Sequence, residues 1–377
     1  MAVIGISGSY GGLNTGDEAI LSSLLATLRT RRPGDEIVVF TRDAEHTASH
    51  HAPHRTVAVR DLVRDEVAGE IRRLDLFMLG GGGLLYDGEA RRYLREMELA
   101  QRLGVPTATW AVGAGPLDDP QDRETTRSVL SQTSVVAVRD NGAKSILEHI
   151  GVHRPIEVTA DPALLLEKTP VSEESLRHEG VPVGRPLVGM SVREPGKAAP
   201  DLDVDGYHAL IATAADFVVN RLDAEVVFIP TERDDIRHSH AVIGQMVAAD
   251  HASVIKHTIY TPGRLLGLMD HLHLVVGMRL HVLVLAAVAG VPFLPLPYAS
   301  KVNEFVRSLA VQPPAPVTRQ SAGLLLAAID RLWDDRDAER ARLTEPVRAL
   351  QARAERTADL VLGLLDPIPA PPVAPDP

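Results

Sequence analysis

Short apolar runs alternate with amphipathic stretches along most of the chain. Residues 2–8 (AVIGISG), 36–40 (EIVVF), 56–59 (TVAV), 74–80 (LDLFMLG), 106–113 (PTATWAVG) and 134–140 (SVVAVRD) read as strands. Helical periodicity fills 17–30, 63–73, 93–103 and 141–150 between them. The second half repeats the theme. Strands are predicted at 187–193, 225–230, 253–256, 272–277 and 292–298, with helices at 205–221, 236–250, 262–269 and 278–289 and from residue 300 onward. Strands that lack polar alternation are buried on both faces, and strands separated by helices pair in parallel. The pattern therefore predicts an α/β protein of two Rossmann-like, doubly wound parallel-sheet domains facing a cleft. A Pro/Gly/Glu-rich stretch at 167–186 marks the boundary. This gives domains at 1–170 and 185–335, then C-terminal helices at 336–366. The Pro-rich end, 367–377, is expected to be extended and disordered.

Composition narrows the function. The 377 residues carry 39 Lys+Arg against 50 Asp+Glu, a net charge of −11 with histidine neutral. That balance argues against a nucleic-acid partner, which needs a basic footprint. There is no cysteine, which excludes disulfides, thiolate metal sites and a cysteine nucleophile. The N-terminus reads as a first strand and not as a leader. The longest apolar run, from Leu280, is interrupted by His281, Gly290 and Pro292, short of the roughly 18 residues a spanning helix needs. A cytoplasmic protein without a transmembrane segment is expected.

Ligands of open parallel sheets bind beyond the carboxyl ends of the strands, so the residues following each strand matter most. After the first strand come Gly11, Gly12 and Gly16, then Asp17 and Glu18 opening a helix. Asp17 either caps that helix or binds hydroxyls. After LDLFML come four glycines, among which Gly81 and Gly82 are candidates to cradle an anion or a sugar. No Walker or dinucleotide-binding spacing accompanies them. Arg139 and Arg193 each end an apolar strand, one in each half, as expected of an anion-binding cleft. Glu232 closes the strand at 225–230, and Asp161 is placed to hold Arg139 or the hinge.

The segment Gly277-Met278-Arg279-Leu280-His281 follows a buried strand and opens a buried helix. Arg279 and His281 there can both reach a ligand above the helix end. A bound anion would favour protonated His281, the form a general acid requires. Tyr298 and Lys301 flank the last strand end. His46, His50, His51 and His54 crowd one polar loop and are expected to be solvated; His238 and His240 are expected to be exposed on a charged helix. No metal-binding pattern is found.

These segments together resemble the polysaccharide pyruvyl transferases. The resemblance is carried by NTGDEAIL (14–21), LGGGGLLYD (79–87), VAVRDNGAKSIL (136–147), DPALLL (161–166) and GMRLHVLVLAAVAGVPFLPLPYASKVNEF (277–305). It implies a GT-B-like fold and transfer of a pyruvyl group from phosphoenolpyruvate to sugar hydroxyls, usually as a ketal. It further implies that His281 is the general acid, that Arg279 binds the donor and that Arg139 does so too. Arg193, Lys301, Gly81 and Gly82 are further donor-side candidates, and Asp17 and Glu232 are candidates on the acceptor side. No metal and no redox cofactor are expected. The expected partners are the small-molecule donor and a sugar or glycan acceptor, with peripheral membrane contact compatible with a lipid-linked acceptor. Two other readings stay open: a GT-B-like glycosyltransferase using a nucleotide sugar, and a non-catalytic sugar- or anion-binding protein.

Overall fold

The computed structural model describes all residues except 60, 62, 195–201, 297–299, 312–317, 319–320 and 367–377. Tyr298 and the Pro-rich end therefore lie outside the described residues.

Two parallel sheets form the molecule. The first contains β1 (Val3–Ser7), β2 (Glu36–Thr41), β3 (Arg55–Ala58), β4 (Leu76–Leu79), β5 (Gly82–Leu85), β6 (Thr107–Ala114), β7 (Val135–Val138) and β8 (Ile156–Val158). Its order is β3-β2-β1-β4-β6-β7-β8, with β5 paired to β6. The second contains β9 (Leu187–Ser191), β10 (Glu225–Phe228), β11 (Ala252–Val254), β12 (Leu272–Gly277) and β13 (Phe293–Pro295), in the order β11-β10-β9-β12-β13. Every pairing is parallel; Ile4, Gly5 and Ile6 of β1 stand beside Leu76, Phe77 and Met78 of β4. Chain order reverses beside β1 in one sheet and beside β9 in the other, and a crevice opens at such points.

The apolar runs are buried as their lack of alternation requires: β4 is buried at all four positions, and so is β10. The largest apolar cluster joins the two halves. It combines Ile20, Leu24 and Leu28 of the helix Thr15–Arg31 with Leu265 and Met269 of Pro262–Met269 and with the helix Leu280–Val288. The last helix, Arg336–Leu362, returns to the first sheet. Its Leu343, Val347, Leu350, Ala354, Ala358 and Val361 are buried at helical spacing. Its polar ties are Gln351 to the Leu164 carbonyl at 3.0 Å and Arg353 to the Thr159 carbonyl at 2.7 Å. Each larger aliphatic side chain buried there contributes about 1.5–3 kcal/mol.

Several local expectations change. Residues 44–51 form a helix capped by the Asp43 side chain, not a solvated loop. His51 is buried there, bonded to Glu18 at 2.6 Å and to Ser22 at 3.2 Å. His54 accepts from the Ile37 amide at 3.0 Å. The glycine run enters a second short strand, β5, instead of ending at a turn. The helix predicted at 236–250 is Arg233–Ile243, and a separate 3-10 turn follows at Ala249–His251. His238 is buried rather than exposed, because it pairs with His208 at 2.9 Å beneath the helix. The helix Pro120–Gln132 has no counterpart in the predicted elements; Asp119 caps it and Pro120 occupies its first position.

Candidate active site

A cavity of about 770 Å³ lies between the carboxyl ends of the two sheets. Residues within or just after several strands line it. Ser9, Asn14 and Asp17 come from β1; Gly83 from β5; Gly113 from β6; Arg139 and Asp140 from β7. The second sheet supplies Arg193 after β9, Glu232 after β10 and Arg279 with His281 after β12. Lys301 and Glu304 join from the helix Ser300–Ser308. Seven sequence candidates thus converge on one space: Asp17, Arg139, Arg193, Glu232, Arg279, His281 and Lys301.

Gly81 and Gly82 are not among the lining residues; Gly83 is. Gly81 is packed by Ile20 and Pro162, whose atoms would lie 3.1 Å from an added Cβ. Gly82 adopts φ +112°, a conformation that suits glycine, and bends the chain past Asp17. The glycine run therefore serves close packing and a bend, with one member at the cavity wall.

Asp17 does not cap its helix. The cap is Asn14, whose Oδ1 accepts from the amides of Gly16 at 2.9 Å and Asp17 at 3.2 Å. The Asn14 amide also donates to Glu232, so the cap joins the two halves. Asp17, relieved of capping, contributes its carboxylate to the cavity. Burial raises its pKa above the ordinary value, against the pull of His281, the Ser9 hydroxyl and Lys301.

Two arginines are locked by carboxylates. Arg279 Nε donates to Asp235 Oδ2 at 2.9 Å, and its Nη2 donates to Asp235 Oδ1 at 2.5 Å and to Glu232 Oε2 at 2.7 Å. Asp235 is itself fixed by the Thr231 amide at 3.0 Å and the Thr231 hydroxyl at 3.1 Å. Arg139 Nη1 donates to Asp161 at 3.1 Å, its Nε donates to Asp140 at 3.3 Å, and its Nη2 side lies over Gly113. Burial alone would lower the pKa of both guanidiniums, and the adjacent carboxylates more than offset it. Buried ion pairs gain little net stability after desolvation, so two of them at one cavity indicate positioning. Each arginine keeps a terminal nitrogen with no protein acceptor among the described residues: Nη1 in Arg279 and Nη2 in Arg139.

His281 stands in the first turn of Leu280–Val288, after Arg279 at the N-cap. Its ring lies directly against Gly16: a Cβ there would approach Nδ1 to 2.0 Å. Nε2 is buried without a hydrogen bond and lies 3.5 Å from Asp161 Oδ2. Burial favours a neutral Asp161, but His281 and Arg139 outweigh it and hold the carboxyl well below the ordinary range. Asp161 thus holds Arg139, one of the two roles expected of it, and also lies beside His281. Glu232 is also held low: burial works upward, and Arg279 with Arg193 pulls down harder.

Sequence reading missed Asp235, Asn14, Arg42, Tyr86 and Tyr93. Asp235 lies three residues after Glu232 in a run of charges, and only its place under Arg279 distinguishes it from the surface acids around it.

Residues 14–300 match the family described as polysaccharide pyruvyl transferase. No curated protein matches the sequence. Among solved structures, S. aureus MnaA with UDP superposes with a TM-score of 0.67 at 12% identity, covering 99% of each chain. UDP-GlcNAc 2-epimerase from Neisseria meningitidis bound to UDP-GlcNAc gives 0.63 at 12%, covering 97% of this chain and 99% of that one. Anabaena HepE in complex with UDP-glucose gives 0.61 at 12%, covering 97% and 98%. At such identities the likeness is one of fold, and the fold is GT-B-like. Among the described residues no helix is long and apolar enough to cross a membrane.

Proposed function

The chain belongs to the polysaccharide pyruvyl transferase family and is a transferase, and from that premise we propose that it moves the pyruvyl group of phosphoenolpyruvate onto hydroxyls of a sugar in the cavity between the sheets. The observation that carries this reading is the cluster of His281, Asp161 and Arg139 facing Arg279, Arg193 and Lys301 across one space.

Phosphoenolpyruvate presents a carboxylate and a phosphate on a three-carbon frame. Guanidinium groups match both anions, and the unengaged terminal nitrogens of Arg139 and Arg279 offer such contacts. Lys301 and Arg193 add positive charge. His281 protonates the methylene carbon, which makes C2 electrophilic. Asp161 places a carboxylate oxygen 3.5 Å from Nε2, beside the ring that gives up the proton.

A sugar hydroxyl attacks C2 and loses its proton to a base. Asp17 suits that role better than Glu232, because burial raises Asp17 towards the working pH while Arg279 holds Glu232 ionised and weakly basic. Glu232 instead helps hold Arg279. Phosphate departs, a second hydroxyl closes the ketal, and its proton leaves with the phosphate. Two sugar protons are lost in all: the one taken by Asp17 returns through solvent to His281, replacing the proton given to the new methyl group, and the other leaves as hydrogen phosphate, so the chemistry calls for no metal and no redox cofactor. A phosphoenolpyruvate donor fits the cytoplasmic setting expected from the sequence.

The test is His281→Ala. It should fold and bind phosphoenolpyruvate as the wild type does, yet turn over at least about 100-fold more slowly. Turnover near the wild-type rate would remove His281 from the mechanism.

A further inference from the structure

On the first-domain side of the cavity, Arg42, Tyr86 and Tyr93 form a group that none of these steps uses. Arg42 follows β2 and is half-buried. Its Nη2 donates to Ser9 Oγ at 3.2 Å and to the Tyr93 hydroxyl, and its guanidinium carbon lies 5.9 Å from the Tyr93 ring centre. No carboxylate among the described residues pairs with it. The contrast with Arg139 and Arg279, each held by two carboxylates, is direct. A cation that has given up part of its hydration for neutral hydroxyls lacks a counter-charge, and an anionic ligand group would supply one.

Tyr86 stands beside it at the cavity wall with 37% of its surface exposed, the only tyrosine among the large exposed side chains of the described residues. An exposed aromatic face in a cavity is a platform for the apolar face of a sugar ring. Tyr86, Tyr93, Arg42 and Asp17 line the same cavity.

We propose that Arg42, Tyr86 and Tyr93 form the acceptor subsite, and that the acceptor is a sugar carrying its own negative charge. Tyr86 stacks on the ring, Arg42 pairs with the anionic substituent, and Tyr93 fixes the Arg42 guanidinium. A hydroxyl of the sugar then faces Asp17. The anion is either the phosphate of a glycosyl phosphate or the carboxylate of a uronate, the chemistry being shared. This inference rests on reading the cavity as a pyruvyl transfer site.

Calorimetric titration separates the two claims. Phosphoenolpyruvate is titrated first into the wild type, Arg42→Gln, Arg42→Lys and Tyr86→Ala. Next come the 1-phosphates of glucose, galactose and mannose, the matching uronates, and the neutral methyl glycosides, each with and without phosphoenolpyruvate. Arg42→Gln should bind phosphoenolpyruvate within about twofold of the wild type and the anionic sugars at least about tenfold more weakly. Arg42→Lys should recover part of that loss, and Tyr86→Ala should weaken charged sugars without touching the donor. The phosphate and uronate arms identify the source of the charge. Anionic sugars binding the wild type no tighter than methyl glycosides would overturn the proposal. So would an Arg42→Gln protein that loses phosphoenolpyruvate instead, which would place Arg42 at the donor. If Arg42→Gln does not fold, the lysine and Tyr86 variants decide the same question. Failure of the wild type to bind phosphoenolpyruvate would refute the transfer reading alone, since the sugar titrations without donor still report on Arg42.

Discussion

Gly16→Ala tests the alignment of His281 against the helix that carries Gly16. Gly16 is the second residue of the helix Thr15–Arg31, and its amide is already satisfied by Asn14. Alanine in a helix is ordinarily better than glycine by up to about 1 kcal/mol. Here its Cβ would stand 2.0 Å from His281 Nδ1, 2.6 Å from Cγ and 2.9 Å from Cε1. Ordinary contact begins near 3.4 Å, so the ring must retreat by at least 1.4 Å. It has to do so away from helix backbone that Asn14 pins. A shift of about 1 Å at a reacting group costs about 100-fold in rate. The expected variant is therefore folded but destabilised by about 1–3 kcal/mol of overpacking, partly offset by the helix preference for alanine, and about 100-fold slower. Thermal unfolding and phosphate release from phosphoenolpyruvate are measured side by side, with Gly323→Ala as control because a Cβ there meets nothing within 4 Å. A folded Gly16→Ala enzyme with the wild-type rate would refute the placement of the His281 ring against Gly16 as a catalytic requirement.

Asp17→Asn should be more stable than the wild type at pH 7 and at least about 100-fold slower, since a carboxyl raised by burial costs stability once the pH exceeds its ordinary value. Loss of stability together with unchanged turnover would contradict both halves. The His208–His238 pair sets an acid limit. Burial first, then mutual repulsion for His208 and Arg237 for His238, lowers both pKa values; Asp205 opposes this at His208, and Asp235, Glu194 and Asp234 at His238. The native state thus refuses protons that the unfolded chain accepts near pH 6.5, so this stability is present above that pH and lost as the pH falls through it. The melting temperature should drop between pH 7 and pH 5, and His208→Asn should flatten the drop; an identical profile in the variant would exclude the pair.

The central strands of both sheets were legible because they are buried on both faces, so β4 and β10 appear as unbroken apolar runs, whereas the partly exposed edge strand β8 was not predicted. The cavity residues were legible for the same reason, since a charge directly after such a run, as at Arg139 and Arg279, has to lie at a strand end. What was hidden depended on pairing across the fold. Arg279 meets Asp235 over 44 positions, and Asn14 meets Glu232 over 218. The helix Ala44–His51 was hidden by its polar composition, which tertiary bonds from His51 to Glu18 and Ser22 override. Strand β5 is Gly-Gly-Leu-Leu, a sequence with no strand propensity of its own, held by pairing to β6. Arg42 became informative only through the partners it lacks.

The central claim is a phosphoenolpyruvate site between the sheets with His281 acting after binding. Calorimetric titration of phosphoenolpyruvate, UDP-glucose and UDP-GlcNAc into the wild type and His281→Ala tests it most directly. The account predicts one site for phosphoenolpyruvate, retained in the variant, and no comparable binding of either nucleotide sugar. Binding of the nucleotide sugars alone would contradict it and leave a GT-B-like fold devoted to a different donor.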